Sequence, residues 1–501
     1  MKRSAPPAGS ISPPLVKRKI ESTTTNRAVA SFFKPASQKE PEKIVWRTLE
    51  NSLVIGRYDA SNPSPQQRTL PVKIAAFDLD DTLIVPNQGK TWHRSATSWK
   101  WWDASVPGRL KSLHDEGYLV VILSNQSTIS LKDNKKLLQK DMVSLTNFKS
   151  QLSAVLQQLD LPISIYAATG QDKYRKPRIG MWEAVLEDYD LRAEGAVDMT
   201  KSFYIGDAAG REKTDTRRRD HATSDRYSSP SFHGPVRMLT DSRDLAANIG
   251  IKFQTPDEFF LNAPPEPYDH VFEPSRYLHA NQTAEPTTIG AAGAAVSAPF
   301  TKDSKQDMVI FCGSPGGKLP PLLTAGCFVI REVVLVTRMQ ANRDPPAGKS
   351  TFFWNVLQPL GYERVNQDIL KTRDKCIKRA RELLEAGASV AIDNTNANIE
   401  TRSHWVKLAR EFNVPIRCVR FTASTRLAEH NDAARALNPD IMNPENRSQL
   451  PGIAFRSFLQ RLQEPTLDEG FQDIYKVDFE FKGTDEQKKL WSRYWVSKYS
   501  T

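Results

Sequence analysis

Cysteine is scarce in this 501-residue chain: Cys312, Cys327, Cys376 and Cys418 stand alone, with no CxxC spacing. A disulfide framework and a zinc site are therefore not indicated, and a reduced, intracellular setting is expected. Long apolar runs are lacking too; none approaches the roughly 20 residues that cross a bilayer, and no apolar signal core follows Met1. No membrane span is expected. Acidic charge is in deficit, 58 Asp and Glu against 69 Lys and Arg, a net +11, which favours polyanionic partners and nucleic acid first. Core-forming material is ample at 39% hydrophobic residues, in a length beyond one core, so two domains plus tails are expected.

Residues 1–45 are rich in Ser, Thr, Pro, Ala and Lys without sustained periodicity and are expected to be disordered. Lys17, Arg18 and Lys19, with Lys2 and Arg3 upstream, resemble a bipartite nuclear signal, and a solvated basic tail is the plainer alternative. Asn26, Val29, Phe32 and Phe33, followed by Lys34, resemble a sliding-clamp-binding box with Asn in place of the usual Gln. Two adjacent Phe in such a segment call for a partner, either a clamp or this protein's own surface.

Globular patterning follows. Ile74, Ala75, Ala76 and Phe77 read as a buried parallel strand that delivers Asp78 and Asp80, in DLDDT, to its carboxyl end, where ligands bind in open α/β sheets. Trp92, Trp99, Trp101 and Trp102 cluster next; aromatics more often supply buried area than a base-stacking surface. A second strand, Tyr118 to Leu123, ends in Ser124, Asn125 and Gln126, a third runs from Ile163 to Ala168, Lys176 precedes Pro177, and Ser202 to Ile205 leads into Gly206 and Asp207. Repeating βα units predict a doubly wound parallel sheet.

Asp78 and Asp80, Ser124, Lys176 and Asp207 stand in the order of the four motifs of haloacid dehalogenase-like phosphatases, and KYRKP with YIGDAAGR resembles the bifunctional polynucleotide kinase 3′-phosphatase family, of the kind lacking a forkhead-associated domain. The resemblance implies that Asp78 attacks phosphorus, Asp80 shuttles the proton, Ser124 holds the phosphate and Lys176 balances its charge. It implies Mg²⁺ held by Asp78, the backbone of Asp80, and Asp207, with Asp220 and Asp225 as further acidic residues nearby. Oxygen ligands suit that ion, and clustered carboxylates need a cation. The family text resumes at Leu245, so residues 227–243 read as an insertion.

Residues 263–305, rich in Pro, Ala and Thr, read as a linker. A second α/β pattern begins with the strand Met308 to Phe311 and Gly313, but its GKST, Gly348, Lys349, Ser350 and Thr351, comes only after residues 317–346. Without that stretch the text reads FCGSPGAGKST, a P-loop in which backbone N–H groups, the lysine and the hydroxyl cradle nucleotide phosphates. The run Phe328 to Val336 offers a competing strand before Lys349, but no glycine turn would follow it. Two excisions that each restore family text suggest retained introns. By the same resemblance Asp368, in NQD at a strand end, deprotonates a 5′-hydroxyl, DNTN from Asp393 completes the kinase half, and Arg435, in a lid segment from His430, closes on ATP; His404, Trp405 and Lys407 lie on a helix that either faces the polynucleotide or is an ordinary surface helix.

The implied architecture is α/β in two domains, a dehalogenase-like 3′-phosphatase at 46–262 and a P-loop 5′-kinase at 306–501. The implied activity is Mg²⁺- and ATP-dependent processing of 3′-phosphate and 5′-hydroxyl DNA ends in the nucleus. The alternative is a 3′-phosphatase alone, whose inactive kinase half serves as a DNA- or clamp-binding scaffold.

Overall fold

The computed structural model describes residues 43–58, 69–87, 95–129, 131, 138–211, 240–270, 272–279, 287–290, 295–297, 299–315, 349–442, 448–481 and 483–497. Contacts divide the chain into Met1–Lys43 and Ile44–Thr501, and the fold below is that of the second unit. The nuclear-signal-like and clamp-box residues, Trp92, Asp220, Asp225, Gly348 and the run 328–336 lie outside the described residues.

The first half runs β1 (Ile44–Leu49), β2 (Leu53–Tyr58), β3 (Ile74–Phe77), β4 (Ile84–Pro86), β5 (Trp99–Trp101), α1 (Val106–Asp115), β6 (Leu119–Asn125), α2 (Leu138–Leu159), β7 (Ser164–Ala168), α3 (Gly180–Asp188), β8 (Phe203–Ile205), α4 (Asp241–Ile249), β9 (Lys252–Gln254) and α5 (Pro256–Phe260). Seven of its strands make one sheet in the order β1-β2-β7-β6-β3-β8-β9. The five from β7 to β9 are parallel, and the β1–β2 hairpin is added antiparallel at the β7 edge.

Strand β3 is fully buried at the middle of that parallel run, and its side chains alternate between two cores, as a period of two requires. Ala75 and Phe77 pack with residues of α1 and α2 on one face. Ile74 and Ala76 pack with Met181, Trp182 and Val185 of α3 and Leu245 and Ala246 of α4 on the other. Helices on both faces make the sheet doubly wound, and burial on both faces explains why its strands read as unbroken apolar runs. Trp99, Trp101 and Trp102 lie partly buried against the first core, the structural role that favoured burial over base stacking.

The second half continues with α6 (Ser275–His279), β10 (Thr287–Gly290), β11 (Ala295–Ser297), β12 (Met308–Cys312), α7 (Lys349–Phe352), β13 (Tyr362–Val365), α8 (Gln367–Leu370), α9 (Arg373–Glu385), β14 (Ser389–Ile392), α10 (Ile399–Glu411), β15 (Ile416–Phe421), α11 (Thr425–Ala436), α12 (Pro439–Met442), α13 (Gly452–Arg461), β16 (Asp473–Val477) and α14 (Asp485–Trp491). Its sheet has the order β11-β10-β16-β15-β12-β14-β13, again five parallel strands with an antiparallel pair at one edge.

That edge pair corrects the linker reading. Residues 263–305 contain β10 and β11, and Thr287–Gly290 pairs with β16, so the Ala- and Thr-rich stretch extends the second sheet. Small and β-branched residues serve an edge strand as well as they serve a linker, and composition could not separate the two. Trp405 supplies a second correction: on α10 it is fully buried and donates its indole N–H to Asn396 Oδ1 at 3.1 Å, so it is core and presents nothing to a polynucleotide.

Candidate active sites at the two strand-end crevices

Parallel register brings the first set of residues together. Phe77 pairs with Ile122 of β6 and Ile205 of β8, and the Asp78 N–H donates to the Ile205 carbonyl at 2.8 Å. The residues that follow, Asp78, Ser124 and Asp207, therefore leave three adjacent strands at the same end. Lys176 arrives from the loop between β7 and α3. Its Nζ donates to Asp78 Oδ2 at 2.5 Å and to the Tyr204 hydroxyl at 3.0 Å, and Tyr204 in turn donates to the Leu123 carbonyl at 3.2 Å.

Burial opposes charge on Lys176, but the adjoining Asp78 carboxylate and Tyr204 outweigh it and hold the ammonium above the ordinary lysine range. Burial likewise pushes the Asp78 carboxyl up, and Lys176 pulls it back. Asp78 Oδ1 accepts from the Leu79 N–H at 2.8 Å. The nucleophile candidate is thus aimed by one main-chain donor and one ammonium.

Asp80 is turned to a different partner. Gln126 Nε2 donates to Asp80 Oδ2 and to Ser124 Oγ, each at 2.8 Å, so one amide fixes the carboxylate and the hydroxyl together. Asn125 does the same for the lysine loop: its Oδ1 accepts from the Lys176 N–H at 2.9 Å. Both residues stood in the sequence beside Ser124, but nothing local assigned them these partners.

Helix α4 also enters the site. Ser242 Oγ lies 3.5 Å from Asp78 Oδ2, and a Cβ on Gly206 would come within 2.4 Å of that hydroxyl, so glycine is what admits the helix. Asn125 Nδ2 lies 3.4 Å from Asp241 Oδ2. Burial pushes the Asp241 carboxyl up to about 7, against the pull of Arg175 and Lys176. Asp241 and Ser242, within the stretch 227–243, thus open α4 beside Asp78 and Asn125.

In the second half the glycine turn and the lysine meet. Lys349 Nζ donates to the Gly313 carbonyl at 3.2 Å and to that of Ser314, although 36 residues separate Gly313 from Lys349. Gly313 donates its N–H to the Thr395 carbonyl at 3.2 Å, and Asn396 Nδ2 donates to the Phe311 carbonyl at 2.7 Å, so the DNTN loop grips the end of β12. A Cβ on Gly313 would meet the Phe421 Cβ at 2.8 Å, which explains the glycine. Burial lowers the Lys349 ammonium to about 8 despite the nearby Asp393 carboxylate. Thr351, two residues on, is buried, and Ser350 shares its helix.

Asp368 lies exposed at the carboxyl end of β13, with its N–H capped by Asn366 Oδ1 at 2.8 Å. Asn366 Nδ2 also donates to the Asp393 carbonyl at 2.9 Å, tying the two acidic residues to one side chain. Arg364 Nε donates to the buried Asp393 carboxylate at 2.9 Å. Arg435 is enclosed on α11 and paired with Asp432, and His430 is wholly buried there. Phe272 and Trp491 pack against the His430 ring, with centroids 4.8 Å away in each case.

Residues 73–233 match the family described as Polynucleotide kinase 3 phosphatase, and residues 345–465 match an AAA domain. A bifunctional polynucleotide phosphatase/kinase of Schizosaccharomyces pombe (strain 972) is 35% identical over 90% of this chain and 88% of its own length. A putative bifunctional polynucleotide phosphatase/kinase of Acanthamoeba polyphaga mimivirus is 30% identical over 84% of this chain and 88% of its own. The polynucleotide 3′-phosphatase ZDP of Arabidopsis thaliana is 31% identical over 44% of this chain and 28% of its own. With both halves matched in order along nearly the whole of two such relatives, the chain belongs to the bifunctional polynucleotide phosphatase/kinase family.

Proposed function

We propose that this protein repairs the termini of broken DNA, hydrolysing 3′-phosphates in its first half and phosphorylating 5′-hydroxyls with ATP in its second. The observation that carries the reading is the enclosed Lys176–Asp78 pair at the strand-end crevice, in a chain whose +11 charge suits a polyanionic substrate.

An Asp78 oxygen attacks the 3′-phosphorus, the bond to the 3′-oxygen breaks, and Asp80 gives that oxygen its proton. Water then gives a proton to Asp80 and attacks the aspartyl-phosphate, releasing phosphate and restoring the carboxylate. Ser124 and Lys176 hold the transferred group. Asp78, the main-chain carbonyl of Asp80, and Asp207 offer an all-oxygen donor set suited to a hard divalent cation, with Mg²⁺ the proposed ion; bound there it supplies positive charge for the phosphoryl oxygens.

In the second half, Gly313, Gly348, Lys349, Ser350 and Thr351 bind the ATP phosphates. Asp368 takes the proton of the 5′-hydroxyl as its oxygen bonds to the γ-phosphorus and ADP departs. Arg435 serves the same phosphates once its pair with Asp432 opens.

Phe32 and Phe33, with Val29, are proposed to dock on a sliding clamp, and the basic residues near them to direct nuclear entry. The test of the central reading is purified protein with 3′-phosphorylated and 5′-hydroxyl oligonucleotides, Mg²⁺ and ATP. Both conversions are expected, and phosphate release surviving in Asp78→Asn would remove Asp78 from the reaction. Calorimetry of a peptide of residues 20–40 on a clamp, with and without Phe32→Ala and Phe33→Ala, tests the docking.

A further inference from the structure

The loop that carries Lys176 is braced from the opposite end of the chain. Asn248, on α4, donates Nδ2 to the Pro177 carbonyl at 2.9 Å and to the Tyr494 carbonyl at 2.8 Å, while its Oδ1 accepts from the Tyr494 N–H at 2.8 Å. One amide therefore joins the residue after Lys176 to the main chain beyond α14.

Arg178 makes a second such joint. It is buried, with Nη1 donating to the Gln171 and Asp172 carbonyls at 2.7 and 2.8 Å and Nε donating to the Trp495 carbonyl at 3.0 Å. All three of these acceptors are carbonyls, and one lies 317 residues away.

The segment is itself well anchored. Tyr494 donates its hydroxyl to Glu273 Oε2 at 2.7 Å and stacks on His270 with ring centroids 5.2 Å apart. His270 Nδ1 stands 3.1 Å from Asp244 of α4. Trp495 is buried and donates to the Leu490 carbonyl at 2.9 Å. On the other side Trp491 donates its indole N–H to Asn431 Oδ1 at 2.7 Å, and its carbonyl meets His430 Nε2 at 2.9 Å, both on α11.

We propose that Tyr494–Trp495 is a positioning element of the phosphatase site: its main chain completes the hydrogen bonding of Asn248 and Arg178, which hold the loop where Lys176 reaches Asp78. The proposal rests on the reading that Lys176 serves Asp78 in phosphate release. Every motif for that chemistry lies before residue 260, yet the site is incomplete without residues past 490. A buried donor that loses its acceptor is costly, and the loop that carries Lys176 is bonded directly to both of these donors, so it is the part that would shift. Displacing Lys176 by about an ångström is enough to lower turnover roughly a hundredfold.

The experiment uses the full chain and measures both activities in each preparation. Asn248→Ala, and separately a chain ending at Ser492, are expected to lose roughly tenfold or more in kcat for 3′-phosphate release with KM little changed, because substrate contacts remain while the loop drifts. ATP-dependent 5′-phosphorylation should persist in the Asn248 variant and reports that the protein is folded. A phosphatase kcat within about twofold of the unaltered chain in that variant, with the kinase intact, would overturn the proposal. If Asn248→Ala loses both activities through misfolding, Arg178→Lys decides: it keeps the charge but cannot aim a planar Nε–H at Trp495 while holding Gln171 and Asp172. A lowered kcat there supports the proposal and an unchanged one sinks it. Lys176→Ala separates the two readings, since retained phosphatase activity in that variant would count against the site assignment itself.

Discussion

Lys176 Nζ and Asp78 Oδ2, 98 residues apart in sequence, meet at 2.5 Å with side chains only 2% and 12% exposed. A buried ion pair is a weak source of stability, since an apolar pair of equal volume commonly does as well or better. Burial pushes the Asp78 carboxyl up and the Lys176 ammonium pulls against that shift, as a nucleophilic carboxylate at a strand end would require.

Asp78→Asn should therefore abolish release of 3′-phosphate, because an amide is a poor nucleophile, and should leave 5′-phosphorylation intact. The check is phosphate release and kinase turnover on the same purified protein. Lys176→Ala should also lose phosphatase activity, and in addition destabilise the fold by roughly 3–5 kcal/mol through the unpaired buried carboxylate, read by urea unfolding.

Gln126→Ala should lower phosphatase kcat about tenfold without changing the kinase. Its amide holds Asp80 Oδ2 and Ser124 Oγ, and a proton-transfer group released from its orienting partner spends less time in line. An unchanged pH–rate profile and kcat would show that Asp80 is aimed by other contacts.

Excision of residues 317–346 should raise kinase activity by about tenfold or more, since small displacements of phosphate-binding groups cost rate steeply. Lys349 already reaches Gly313 and Ser314; what the excision restores is the P-loop spacing between the glycine turn and the lysine. Steady-state 5′-phosphorylation of an oligonucleotide by the two proteins decides the matter, and equal rates would mark the stretch as a tolerated part of the enzyme.

Acid should unfold the second half partly through His430. Burial lowers its imidazole from 6.5 to about 4, against the hydrogen bond to the Trp491 carbonyl. Between those values the unfolded chain binds a proton that the folded chain refuses, so stability is full above the unfolded value and falls as pH drops through the window. The total is of order 3 kcal/mol. In urea titrations at pH 7 and pH 4.5, His430→Gln should lose less stability on acidification than the unaltered chain.

The gathering of these acidic and polar residues at adjacent strand ends was legible from sequence because their signals are local. An apolar run followed by DLDDT, a strand ending in SNQ, and a glycine turn before Asp207 each declare themselves within about ten residues, and parallel pairing then gathers whatever stands at the strand ends. The doubly wound sheet followed from the same periodicity. Three-dimensional packing decided the rest. Whether residues 287–297 link or extend a sheet, whether Trp405 faces solvent or core, and whether Asp241 and Ser242 belong to an insertion or to the site all depend on what lies opposite. Asn248 is the clearest case: nothing within ten residues of it in sequence reveals that its amide joins Pro177 to Tyr494. Such partners are chosen by burial, because a polar group taken from water must be satisfied by whichever donor or acceptor the fold brings near, however distant along the chain.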